Sequence, residues 1–158
     1  KMKMSRLDLE EVVNEVINSF KIPDNVRVYV EGKLPTVYFF RLHLEQVLQN
    51  LIGNAIKHLG KPDGEVAVSC RDAGEVWELC VRDNGVGIEE RHFARIFKIF
   101  QVLKKAESYA SNTGIGLALV KKIADIHSEE VWVESEVCKG TAFYFTITKK
   151  FKEEMDKP

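Results

Sequence analysis

The chain has 158 residues, 45% of them hydrophobic and 30% charged, enough for one domain with a sizeable core. A formal net charge of -1 gives no overall field for attracting nucleic acid or an anionic membrane. Three widely spaced cysteines (Cys70, Cys80 and Cys138) form no C-x-x-C pair, which argues against a disulfide scaffold or zinc site and for reduced thiols in the cytoplasm. No apolar run is long enough to span a bilayer, and the N-terminus lacks the apolar stretch of a signal peptide.

Asp8 is placed to cap a first helix, with Glu11 three residues on in a capping-box arrangement. Leu9, Val12, Val13, Val16, Ile17 and Phe20 then recur at helical spacing, and Pro23 and Asp24 end the element. Val26, Val28 and Val30 alternate with polar residues as a strand, and residues 36–39 are expected as its short partner. A second helix is predicted over 42–59, stopped by the turn signal Lys61-Pro62-Asp63-Gly64. Residues 65–71 and 75–82 read as a hairpin around Asp72-Ala73-Gly74. A short helix over 89–97, a polar stretch, a helix over 114–127 and strands over 131–135 and 142–148 complete the domain. Residues 149–158 read as a charged, solvated tail, and the whole of 1–158 as one domain with its core at about 7–148.

Chemistry enters on the second helix. Asn50, Asn54 and Lys57 stand at i, i+4 and i+7 and share one face, opposite Leu44, Leu48, Leu51, Ile52, Ala55 and Leu59. Asparagine is a mediocre helix former, so two in register call for an explanation. Amide oxygens suit a hard cation such as Mg²⁺, and Lys57 suits a phosphate. The same three residues also suit a plain solvated flank.

Asp83-Asn84-Gly85-Val86-Gly87 follows an alternating strand, so its carboxylate could accept a hydrogen bond from the exocyclic amine of adenine. It is equally a good turn sequence. Gly114-Ile115-Gly116 is expected to open a helix and present unpaired N–H groups to phosphate, but lacks Walker and Rossmann spacing. Gly140-Thr141 adds a small hydroxyl at the start of the last strand. Each segment is weak alone; in this order within one domain's length they point to an ATP site.

The set resembles the catalytic, ATP-binding domain of sensor histidine kinases, in the superfamily shared with gyrase, MutL and certain heat-shock chaperones. Gln46 to His58 resembles the family's N box, Asp83 to Gly87 its first glycine box, Phe93 to Phe100 its F box, Gly114 to Leu117 its second glycine box and Gly140-Thr141 its last. The likeness extends over about residues 7–148.

It implies an α+β Bergerat ATP-binding fold: a two-layer sandwich with a mixed, mostly antiparallel sheet covered on one face by three helices. It implies Asn50 and Asn54 as ligands of Mg²⁺ and phosphates, Lys57 and His58 at phosphate or ribose, and Asp83 at the adenine amine. Gly85 and Gly87 would shape the base pocket, Gly114 and Gly116 the phosphate cradle, and Thr141 would lie near the adenine and its bound water. Ile88, Phe100, Lys104, Lys105, Thr113, Ile115 and Leu117 are further nucleotide contacts on this likeness. Residues 101–113 would form a lid anchored by Phe97 and Phe100.

Position 50 bears on the reaction. The hydrolytic branch carries a glutamate there, whereas Asn50 cannot accept a proton at neutral pH. The expectation is therefore a kinase domain that gives the γ-phosphoryl group of ATP to a histidine on a separate dimerisation domain, with a response regulator downstream. The family's phosphoacceptor segment is absent; His43, His92 and His127 lack its context and read as surface or structural residues. The parent would be a homodimer through the missing domain. The catalytic domain itself would be cytoplasmic, without nucleic acid or direct membrane contact, leaving membrane anchorage of the parent open.

A hydrolytic ATPase and a degenerate, non-enzymatic nucleotide-binding module are the alternatives. Departures from the family pattern bear on the second. Gln101 and Val102 stand where a basic residue is common, with Lys104 and Lys105 as substitutes. Asn112 and Cys138 replace glycines. Ser128-Glu129-Glu130 replaces a glycine helix stop, so that helix end is expected to be reshaped.

Overall fold

The computed structural model describes residues 2–97 and 111–149. Their elements run β1 (Met4–Asp8), α1 (Leu9–Asn18), β2 (Arg27–Val30), β3 (Thr36–Phe40), α2 (Arg41–Lys57), β4 (Glu65–Asp72), β5 (Val76–Asp83), a 3-10 helix (Glu90–Arg95), α3 (Ser111–Ile126), β6 (Val131–Glu136) and β7 (Gly140–Thr148). The architecture is α+β. A five-stranded sheet has the order β2-β4-β5-β7-β6, in which only β2 and β4 are parallel, and β1 and β3 form a separate antiparallel pair.

Two readings of the strands need correction. Residues 4–8 form a strand that the sequence did not announce, because Met4 to Asp8 lacks clean alternation. β3 takes that strand as its partner, not β2. β2 instead pairs in parallel with β4, which lies beyond α2 in the chain. A short turn-rich stretch over 31–35 between β2 and β3 suggested a hairpin, but pairing is decided by which apolar faces meet. Val37 and Phe39 of β3 are buried and turn toward the helices.

The helices follow their periodicity. Asp8 accepts from the backbone N–H groups of Glu10 and Glu11, satisfying two of the donors left open at the start of α1. Leu9, Val12, Val13 and Val16 form its buried stripe. On α2 the buried set is Leu44, Val47, Leu48, Leu51, Ile52 and Ala55, repeating at three and four residues. These pack against Leu79, Val81, Phe143 and Phe145 on one face of the sheet. The opposite face carries Arg71, Glu78, Arg82 and a stacked Trp132–Tyr144 pair.

Helix α3 begins at Ser111, three residues before the expected start, so Gly116 lies in its second turn. The open N–H groups of its first turn belong to residues 111–114, which include Gly114 but not Ile115 or Gly116. At the other end Ser128 does not reshape the stop. It takes the left-handed conformation (φ 56°) that glycine usually supplies. The N–H of Glu129 reaches Ala124 O at 2.7 Å and that of Ser128 reaches Asp125 O at 3.2 Å, a Schellman closure. The segment over 89–97 is 3-10 rather than α-helical, and Phe97 sets its ring edge-on to Phe143 at 6.0 Å. Phe100, Lys104 and Lys105 lie outside the described residues, as does most of the expected lid.

Candidate functional site

Cross-strand register organises the site. On the helix-covered face the rows Leu79–Phe145–Val131 and Val81–Phe143–Val133 are apolar, and the next row is Asp83–Thr141–Ser135. Strand periodicity of two puts all three polar side chains on the side where the core lies. Asp83 is 9% exposed and Thr141 6%, so burial there is nearly complete.

Asp83 is the last residue of β5, not the first of a loop. Its Oδ1 accepts from Gly85 N–H at 2.8 Å, and the carboxylate also takes the backbone N–H of Thr141. Burial nonetheless dominates and pushes its pKa up to about 6. A carboxylate held this way is ionised at neutral pH and able to accept one more donor, such as an amine.

Two backbone segments meet here without side chains between them. Gly140 has φ 126° and lies so close to Asp83 O that a Cβ would overlap it. Cys138 N–H donates to Val86 O at 2.7 Å, riveting the β6–β7 turn to the loop after Asp83. Cys138 itself sits at φ 70°, a conformation that favours the glycine it replaces. Gly85 lies against the backbone of Leu59, and Gly87 against that of Glu136 and Val137. The glycines of the two segments thus permit contact between motifs.

Asn50 and Gly116 are brought together across the antiparallel α2–α3 pair. Asn50 Nδ2 donates to Gln46 O at 2.7 Å, which fixes the amide. Its Oδ1 then lies against Gly116, where any Cβ would overlap it. Among the described residues no donor is bonded to that oxygen. A fixed amide oxygen in a cradle without a Cβ fits a hard cation that keeps water and takes further oxygens from phosphate. Among the described residues no group of three or more His, Cys, Asp or Glu could hold a metal.

Asn54 is buried one turn on, at 9% exposure, and Lys57 is exposed at the end of α2. His58 follows, half-buried, its N–H on Asn54 O at 3.1 Å. Burial, with the Lys57 charge second, lowers the His58 pKa from its ordinary value and favours the neutral ring. Thr113, Gly114 and Ile115 stand in the first five residues of α3, and Leu117 is buried behind Gly116. Ile88 packs on the core and donates its N–H to Ser135 Oγ at 2.8 Å.

Ser135 was missed as a site candidate. The signal was present: Val131, Val133 and Ser135 alternate inward, and the last breaks the apolar pattern. His43 and His127 were read as structural singly, and they prove to be a pair, Nδ1 to Nε2 at 2.8 Å, at the end of α2–α3 remote from Asn50. The Phe39 ring lies tilted against His127, centroids 4.1 Å apart, and Phe40 meets His43 edge-on.

Residues 41–151 match the family profile described as histidine kinase-, DNA gyrase B- and HSP90-like ATPase. Among curated relatives, cyanobacterial phytochrome B from Nostoc sp. is 37% identical over 92% of this chain and 20% of its own length. The methanogenesis regulatory histidine kinase FilI from Methanothrix harundinacea is 34% identical over 77% of this chain and 14% of its own. The chain therefore corresponds to a fifth or less of the length of these two relatives. Among solved structures, the nucleotide-free catalytic domain of histidine kinase ThkA superposes with a TM-score of 0.77 at 27% identity, over 94% of this chain and 97% of that one.

Proposed function

Since the chain belongs to the histidine kinase-, DNA gyrase B- and HSP90-like ATPase family and is a histidine kinase-type catalytic, ATP-binding domain, we propose that it binds ATP with Mg²⁺ and gives the γ-phosphoryl group to a histidine on a separate dimerisation domain. The observation that carries this reading is the state of Asn50. Its amide nitrogen is committed to Gln46 O, and an amide cannot take a proton from water. Such a site holds the triphosphate and leaves the nucleophile to another domain, unlike a hydrolytic site.

In this reading Asp83 accepts from the adenine amine and Thr141 lies beside it. Asn50 Oδ1 and the Asn54 amide hold the divalent ion, with Lys57 at the phosphates and neutral His58 at phosphate or ribose. The ion, when bound, neutralises charge on the phosphates. Open N–H groups at the start of α3 offer the phosphates a positive dipole end. In-line transfer asks for positioning and charge neutralisation, which these groups supply without covalent participation. The acceptor histidine would in turn serve a response regulator. Free cysteines and a need for ATP agree with a cytoplasmic domain. No helix among the described residues is long and apolar enough to cross a membrane.

The test supplies γ-labelled ATP, Mg²⁺ and a separate histidine-bearing dimerisation domain. Acid-labile label on that domain is expected, with none when Asn54→Ala replaces the wild-type chain. Rapid release of free phosphate by the chain alone, with no label on the partner, would instead favour hydrolysis.

A further inference from the structure

We propose that Ser135 is a positioning residue that dictates the direction of the Thr141 hydroxyl proton, and that it thereby makes the site select a 6-amino over a 6-oxo purine. The inference rests on the nucleotide reading above and adds to it a residue and a selectivity.

Ser135 Oγ has three partners, each at 2.8 Å: the N–H of Ile88, the carbonyl of Gly140 and the hydroxyl of Thr141. A serine hydroxyl has one proton and two lone pairs. The carbonyl of Gly140 can only accept, so the Ser135 proton goes there. The N–H of Ile88 can only donate, so it fills one lone pair. One lone pair remains for Thr141, whose hydroxyl must therefore donate to Ser135. Thr141 Oγ1 is left with lone pairs alone for anything else that approaches.

Its neighbour in register, Asp83, already takes Gly85 N–H and the Thr141 N–H on its carboxylate and offers only lone pairs beyond them. Two adjacent acceptors without a donor welcome an exocyclic amine and repel a carbonyl oxygen. The proton directions are rigid because the partners come from two separate segments: the loop after Asp83, which brings Ile88, and the start of β7, which brings Gly140 and Thr141. Buried polar groups that cannot re-pair are what give a pocket strong discrimination.

Removing the serine hydroxyl frees the Thr141 proton to turn toward the base, where it would welcome the 6-oxo group. The experiment titrates the full chain with ADP and with inosine diphosphate, each with Mg²⁺, by calorimetry. The wild type is expected to prefer ADP. Ser135→Ala should narrow the ADP-to-inosine-diphosphate affinity ratio by about tenfold, the scale of one misdirected buried hydrogen bond. A merely structural role would weaken both nucleotides by the same factor, and that result, or no change in either, overturns the proposal. Thr141→Val should narrow the ratio as well, and adding Ser135→Ala to it should narrow it no further. If Ser135→Ala fails to fold, Thr141→Ser against Thr141→Val carries the test: the ratio is kept in the first and narrowed in the second, and an unchanged ratio in Thr141→Val overturns the inference. A wild-type chain that binds neither nucleotide overturns the underlying ATP reading instead.

Discussion

Rows Leu79–Phe145–Val131 and Val81–Phe143–Val133 share three strands, one face and one register with the row Asp83–Thr141–Ser135, and they do opposite work. The apolar rows are buried, apart from the partly buried Val131 at the sheet edge, and pack under α2 and α3. The polar row is nearly as buried, yet it keeps a carboxylate and two hydroxyls. Placing an ionised group there opposes folding, as the raised pKa of Asp83 states. The adjoining apolar rows supply the stabilisation that lets this strained end persist. A rigid backbone shared by both rows then holds the polar atoms in place for a ligand.

That contrast can be broken first at its apolar side. Phe145→Ala should cost about 3–5 kcal/mol in chemical denaturation, because a fully buried ring leaves a cavity between β7 and the helices. Asp83→Asn is expected to act the other way round. It should lower ADP affinity by about 100-fold, the loss of a charge-assisted hydrogen bond, while leaving the domain folded at neutral pH. A smaller effect sharpens the same point through pH. With the folded pKa raised above 3.8 to about 6, Asp83 binds its proton more readily in the folded chain than in the unfolded one. Its contribution to stability is thus greatest at low pH and is lost as pH rises through that window. ADP affinity should run in the opposite sense, falling by about tenfold per unit below the folded pKa as the acceptor is protonated; a flat profile in Asp83→Asn is the control. Smallest, Ser128→Gly should raise stability by about 1 kcal/mol by relieving left-handed strain at the end of α3, with no change in nucleotide affinity.

Legibility differed between the fold and the site. Helices α1 and α2 could be placed from leucine and valine spacing, since a buried stripe repeats in sequence as it does in space. Strands β4 to β7 were legible from alternation and turn residues. The β1–β3 pairing was not, because two short strands carry little pattern and choose partners by contacts far apart in the chain. For the site, the motifs were visible as spacings, but not what their glycines do. Gly140 against Asp83, and Gly116 against Asn50, are contacts between segments that no single window contains. The same holds for Ser135, whose importance lies in partners drawn from the loop after Asp83 and from the start of β7.

By itself, then, the order of residues determined the helical and extended segments, the positions of the unusual asparagines and the buried acid, and the family likeness, because each is written in local periodicity and composition. Only tertiary structure decided which strands pair, that Ser128 and Cys138 accept conformations suited to glycine, and which way the hydroxyl protons of the polar row must point. Those outcomes depend on long-range packing and on satisfying every buried donor and acceptor at once, and no local stretch of sequence holds all the partners.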